Sequence, residues 1–155
     1  MLAVAAAGVF LAALDQTSVV TALPEIIDEI ELPITRLDQA AWIVTGYLLG
    51  YTVAMPLLGR VSDVYGHGRI FLFSMLVFLT GSAGVALAND LWWLVGARVV
   101  QAIGGGAVVP VSIALASETL PGSRRGLAIG LIAAAAEGGA TLGPLYGGGI
   151  IEIAD

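Results

Sequence analysis

Long apolar runs alternate with short polar segments along the whole chain. A helix that crosses a bilayer needs about 20 mostly apolar residues, and five stretches reach that length. We predict spanning helices over residues 2–23, 38–58, 69–88, 91–117 and 126–151. The segments between them hold the Pro, Gly and charged residues that end helices. The pattern therefore predicts an all-α membrane protein that crosses the bilayer five times.

The composition agrees with lipid as the solvent. Charged residues make up 12% of the chain and hydrophobic residues 58%, whereas a soluble domain is about 25% charged. The chain has no Cys and a single His, so thiol chemistry and disulfides are excluded and a metal centre is not expected. We expect no enzymatic activity, no cofactor and no nucleic-acid partner.

The arginines predict which ends of the helices face the cytoplasm. Four of them fall in the turns after the second and fourth spans: Arg60, Arg69, Arg124 and Arg125. Only Arg36 falls in the first link, and none falls at Asn89-Asp90. Since short cytoplasmic loops are rich in basic residues, we expect a multi-pass protein of the cell membrane. Its N-terminus would be cytoplasmic and residue 155 would lie on the outer side.

Three charged residues lie inside apolar spans: Asp15, Arg98 and Glu137. A charge at the centre of a spanning helix costs about 2.5–3.5 kcal/mol on insertion scales, so such residues are paired, hydrated or functional. Counted at about 1.5 Å per residue, the three reach a similar depth. An Arg that can pair with either of two carboxyls is a plausible proton switch. The alternative is that Asp15 and Arg98 form a static ion pair.

Small and polar residues recur on single helix faces. Gln101, Gly105 and Ser112 share a face with Arg98 on the fourth span, and Thr141 lies on the face of Glu137 together with Gly130 and Pro144. With Thr45 and Thr52 on the second span, they are predicted to line a wet cavity. Glycines four residues apart allow helices to approach closely. The examples are Gly46 with Gly50, Gly126 with Gly130, and Gly139 with Gly143 and Gly147.

Four motifs in this order resemble the first half of a major facilitator transporter. Residues 14–24 are similar to the first-helix signature of the fourteen-helix drug:proton antiporter branch, which implies a role for Asp15 in proton coupling. Residues 94–104 resemble the fourth-helix motif, whose Arg is Arg98 here. The resemblance implies the proton gradient as the energy source. It also implies six-helix halves built from three-helix units, so the sixth helix and the C-terminal half are expected to be absent from this chain.

The other two motifs concern gating and export. Residues 59–69 resemble the cytoplasmic loop that locks the inner gate, represented by Gly59, Asp63, Gly66 and Arg69. The chain departs from that motif where basic residues are usual, with Val64 and with His67-Gly68. Residues 138–148 resemble the exporter motif of the fifth helix. Its residues are Gly139, Gly143, Pro144, Gly147 and Gly148.

Three functions remain open from the sequence. The first is proton-coupled export of hydrophobic drugs or similar small molecules. The second is export of a lipid, because residues 42–51, 55–60 and 143–147 look like an actinobacterial sub-branch that exports triacylglycerides. The third is a non-transporting membrane scaffold. The expected partners are the bilayer, a hydrophobic cargo and the second half of the same transporter. Neither the cargo nor the total of twelve or fourteen helices is fixed by these residues.

Overall fold

A computed structural model describes residues 2–29 and 37–154, with the side chains at positions 25, 28, 29, 37 and 146–154 left out. Its five helices are α1 (Leu2–Glu29), α2 (Leu37–Tyr65), α3 (His67–Ala86), α4 (Leu91–Thr119) and α5 (Gly122–Ala154). Each contains a stretch long and apolar enough to cross a membrane. The described residues contain no strand. The predicted all-α fold with five spans is therefore confirmed.

Helix α1 continues past the predicted end at residue 23. Pro24 lies inside it, and Glu25 to Glu29 form its last turns rather than an extended link. A proline removes one backbone hydrogen bond but has a φ that fits a helix, and membrane helices tolerate it where neighbouring groups compensate. The rest of the predicted link, including Pro33 and Arg36, lies outside the described residues.

Helix α2 is also longer than predicted. The segment 59–68 was expected to be a turn, but α2 runs to Tyr65 and only Gly66 has a positive φ, of 93°. Gly59 does not end the helix because the six residues after it contain no breaker. The Ser62 hydroxyl also donates to the Gly59 carbonyl at 2.6 Å. The turn is thus reduced to Gly66, and α3 begins directly after it.

The ends of α3, α4 and α5 differ from the prediction by a few residues. Helix α3 covers 67–86 instead of 69–88, α4 ends at Thr119, and α5 begins at Gly122 rather than 126 and ends at Ala154. The Pro121 carbonyl accepts from the backbone N–H groups of Arg124 and Arg125 at 2.9 and 3.1 Å, which starts α5 early. Asp90 caps α4, since its Oδ1 accepts from the N–H groups of Trp92 and Trp93 at 3.0 Å each.

Helix α4 is the centre of the bundle. Over half of its most apolar window is buried, 56%, against 22% for each of the other helices. It packs against α2 and α3 and also touches α1 and α5, while α1 packs chiefly against α5. Glycines make these crossings close. A Cβ on Gly104 would collide with the Phe78 backbone of α3, and one on Gly139 with the Phe10 carbonyl of α1.

The glycine pairs predicted from sequence fall into two groups. Gly46 and Gly50 pack against Val99 of α4, which confirms the first pair. Gly139 and Gly143 pack against α1, as predicted. For Gly126 and Gly130 the structure shows no close approach, because a Cβ at either position would have no described neighbour within 4 Å. Those two glycines lie on an exposed face of α5.

Candidate functional site

Three polar side chains from two helices meet in the interior of the bundle. Arg98 Nη1 donates to Asp15 Oδ2 at 3.0 Å and to Gln101 Oε1 at 2.7 Å. Gln101 Nε2 donates to Asp15 Oδ1 at 3.0 Å. Arg98 and Gln101 are 2% and 0% exposed, and the Asp15 side chain is 26% exposed. This contact agrees with the similar depth predicted for Asp15 and Arg98.

Local helix geometry explains how the three groups converge. Arg98 and Gln101 are three residues apart, so both face α1 from one side of α4. Thr17 and Ser18, next to Asp15, donate their hydroxyls to carbonyls of their own helix. The Asp15 carboxylate is therefore left to accept from α4. A buried Arg needs such a partner, since an unpaired charge in the interior is strongly disfavoured.

Tyr47 of α2 completes the surroundings of Arg98. The guanidinium carbon lies 4.3 Å from the centre of the Tyr47 ring, in cation–π geometry. Tyr47 is 2% exposed, and its hydroxyl has no hydrogen-bond partner within the described part of the chain. Sequence reasoning assigned it no role. The available signal was its position beside Gly46, on the face of α2 that packs against α4.

A cavity of about 180 Å³ opens next to this cluster, between α1 and α2. Arg98, Tyr47, Gln16 and Thr17 contribute to its wall. Most of the wall is apolar, and Arg98, Gln16 and Thr17 supply polar groups on the side of the cluster.

The structure does not bring Glu137 to Arg98. Glu137 is exposed on α5, and the ion pairs among described residues do not include it. The predicted stripe on α5 does form one face, because Gly130, Glu137, Thr141 and Pro144 are all exposed. A role for Glu137 in proton coupling therefore stays a prediction.

The residues predicted to line a wet cavity have different surroundings. Gly105 packs against Phe78 and the Tyr47 hydroxyl, so with Gln101 it belongs to the buried cluster rather than to an open cavity. Ser112 is buried but lines a second cavity, of about 270 Å³, with Leu2 and Thr119. The threonines predicted to join them, Thr45, Thr52 and Thr141, are exposed.

The predicted gating segment contains a second polar cluster, at the end of the bundle that holds the arginines. His67 Nδ1 lies 2.8 Å from Glu118 Oε2, and Nε2 lies 3.2 Å from Asp63 Oδ1. This links the end of α2, the start of α3 and the end of α4. Gly59 and Asp63 are helical, and Gly66 makes the turn. Sequence reasoning gave His67 no special role, because its contacts depend on the turn at Gly66, which brings the start of α3 next to Asp63.

The exporter motif on α5 presses against the turn of α1 that carries Asp15. A Cβ on Gly143 would collide with the Thr17 hydroxyl and lie 2.6 Å from the Leu14 carbonyl. Pro144 lies inside α5. Gly147 and Gly148 are helical, and their packing is outside what the structure describes. The motif thus sets the distance between α5 and the residues on both sides of Asp15.

Most of the chain is similar in sequence to known proteins. Residues 5–155 match the family model described as Major Facilitator Superfamily. The chain belongs to the Major Facilitator Superfamily. A triacylglyceride transporter of Mycolicibacterium smegmatis is 42% identical over 139 residues, which is 90% of this chain and 25% of that protein. Triacylglyceride transporters of Mycobacteroides abscessus and Mycobacterium tuberculosis are each 42% identical over 90% of this chain and 27% of theirs.

Membership of this superfamily confirms a multi-pass membrane protein of a transporter family and fits the predicted actinobacterial sub-branch. The chain spans about a quarter of the length of these relatives. Within the described residues, no group of three His, Cys, Asp or Glu side chains is placed to hold a metal ion.

Proposed function

We propose that this chain supplies helices one to five of a proton-coupled exporter. Transport, not catalysis, is then its role, and the proton gradient is its energy source. The observation that supports this most is the buried cluster of Asp15, Arg98 and Gln101 beside a cavity. A carboxyl and a guanidinium in direct contact at mid-membrane depth form a pair whose strength depends on one proton.

The cycle follows from the contacts. With Asp15 ionised, α1 and α4 are held together by the ion pair to Arg98 and by one further hydrogen bond, from Gln101 to Asp15. Protonation of Asp15 removes the Coulombic attraction and leaves only weaker hydrogen bonds. The two helices are then freer to change their relative position. Release of the proton on the other side of the membrane restores the pair and resets the helices.

The cargo we propose is a lipid of the triacylglyceride class. The relatives named triacylglyceride transporters, at 42% identity, favour it. A hydrophobic drug is the second candidate, favoured by the similarity of residues 14–24 to the drug:proton antiporter signature. In both cases the second half of the transporter would complete the cargo site.

The test is Asp15→Asn in the full-length protein, reconstituted in proteoliposomes with an imposed pH gradient. One set of vesicles carries a fluorescent triacylglyceride and another carries ethidium. We expect gradient-driven transport to fall to background, while exchange without a gradient persists. Asp90→Asn, a carboxylate outside the cluster, is the control and should transport normally. Gradient-driven transport at the wild-type rate in Asp15→Asn would refute proton coupling through this residue.

We also propose that the N-terminus is cytoplasmic and the membrane is the cell membrane. Arg60, Arg69, Arg124 and Arg125 are exposed at the same end of the bundle, which supports this orientation. Because the chain has no Cys, single cysteines can report on it. In intact cells an impermeant maleimide should label Asn89→Cys and not Ser123→Cys. The reverse pattern would overturn the orientation.

A further inference from the structure

Arg98 has three kinds of partner, and only one of them is charged. The anion is Asp15, at 3.0 Å. The other two are neutral: the Gln101 side-chain carbonyl at 2.7 Å and the face of the Tyr47 ring at 4.3 Å. Among the described residues, no other carboxylate contacts this guanidinium. When Asp15 takes up a proton, Arg98 therefore keeps its charge and loses its only counter-ion.

A buried cation without a counter-ion is costly unless other groups stabilise it. Arg98 is 2% exposed, so water cannot replace the lost carboxylate around most of its surface. The negative face of an aromatic ring attracts a cation, and this attraction grows when the pair is desolvated. The Tyr47 ring is equally buried and already in place.

We propose that Tyr47 is a positioning residue for proton coupling, whose ring holds Arg98 in place while Asp15 is protonated. This rests on the proposed function. The ring rather than the phenol performs the task, because the hydroxyl makes no hydrogen bond to any described group. Loss of the ring would leave the Gln101 carbonyl as the one described partner of Arg98 besides Asp15, so that a higher proton concentration is needed to protonate Asp15.

The other ionisable groups near this site are few. Arg98 faces Asp15 from α4, and Tyr47 with its stacked neighbour Tyr51 faces it from α2. On α5, which packs against α1, Glu137 is exposed and makes no described contact with the pair. The described part of α3 presents no charged group to the cluster, since its basic residues are at its first turn.

The experiment measures the pH dependence of transport by the full-length protein in proteoliposomes, with ethidium and a fluorescent triacylglyceride as separate probes. Tyr47→Leu should shift the pH midpoint by about one unit toward acid, a tenfold change in proton concentration that corresponds to about 1.4 kcal/mol. Tyr47→Phe keeps the ring and should retain the wild-type midpoint. Tyr65→Leu removes an exposed ring at the end of the same helix, away from Arg98, and should also retain it.

A second series of variants tests the ring even if Tyr47→Leu fails to fold. Phenylalanine with an increasing number of fluorines at position 47 keeps the ring shape but removes the negative potential of its face. The midpoint should move further toward acid with each fluorine. A constant pH midpoint across this series would overturn the proposal. A lower transport rate in Tyr47→Leu without a shift of the pH midpoint would also overturn it and would leave Tyr47 with a packing role only.

The failure of the proposed function is distinguishable from the failure of this inference. If wild-type transport does not depend on the proton gradient, or Asp15→Asn still transports with the gradient, both the proposed function and the role of Tyr47 are refuted. If wild-type transport is proton-driven and Asp15→Asn is inactive, but the Tyr47 variants leave the midpoint unchanged, only the role of Tyr47 falls. An acid shift in Tyr47→Phe would also overturn it, since the hydroxyl would then be required.

Discussion

Gly106→Ala tests how closely α2 and α4 must approach. A Cβ at position 106 would lie 2.6 Å from the Tyr51 carbonyl oxygen, where ordinary contacts begin at 3.4 Å. The backbone of α2 would have to move by about 0.8 Å to relieve the overlap. Such overpacking costs about 1–3 kcal/mol, and the better helix propensity of Ala returns at most about 1 kcal/mol. We expect a net destabilisation of about 1–2 kcal/mol.

The displacement should also reach the functional site. Tyr51 stacks on Tyr47 with ring centres 6.1 Å apart, so movement of this part of α2 carries Tyr47 away from Arg98. The measurement is the midpoint of SDS-induced unfolding in mixed micelles, together with gradient-driven transport. Gly96→Ala on the same helix is the matched control, because a Cβ there has nothing within 4 Å. Equal stability of Gly106→Ala and wild type, or a loss in Gly96→Ala, would refute the reasoning.

Two further predictions concern links between helices. Both ring nitrogens of His67 face carboxylates, and only imidazolium has two N–H donors, so its bridge should be strongest in acid. Glu118→Gln should therefore lower the free energy of unfolding at pH 6 by up to about 1 kcal/mol, the usual limit for an exposed ion pair. The loss should be smaller at pH 8, and a larger loss at pH 8 would contradict this. Trp93→Phe removes the 2.9 Å bond from Nε1 to the Gly84 carbonyl, and should cost about 1 kcal/mol in the same assay. Trp92→Phe serves as the control, and equal losses in the two variants would refute a specific role for Trp93.

The number of helices could be predicted from the sequence because apolar length alone decides which segments suit a bilayer. The ends of the helices could not be predicted, because Pro24 and Gly59 end a helix only where its continuation would not be stabilised. Both lie within helices here. Of the three glycines in the predicted turn over residues 59–68, only Gly66 has a positive φ. Local composition does not distinguish it from Gly59 or Gly68.

The Asp15–Arg98 pair could be predicted because depth in the membrane follows from residue count. The contact between Tyr47 and Arg98 could not be predicted, because a contact between two helices depends on how α2 is rotated about its axis. That rotation is set by Gly46 and Gly50 packing on α4, which is tertiary information. The same reason explains Glu137, which lies on an exposed face of α5 and makes no described contact with Arg98.

The sequence separation of the central pair has a consequence for biosynthesis. Asp15 and Arg98 are 83 residues apart, which at about 5–20 residues per second means a delay of about 4–17 s between their synthesis. During co-translational insertion, α1 therefore enters the membrane seconds before its cationic partner exists. The nascent chain passes through a stage with a carboxyl in α1 that has no counter-ion, and the arrival of α4 ends it. The central helix of this bundle, which all the others contact, is thus inserted only fourth.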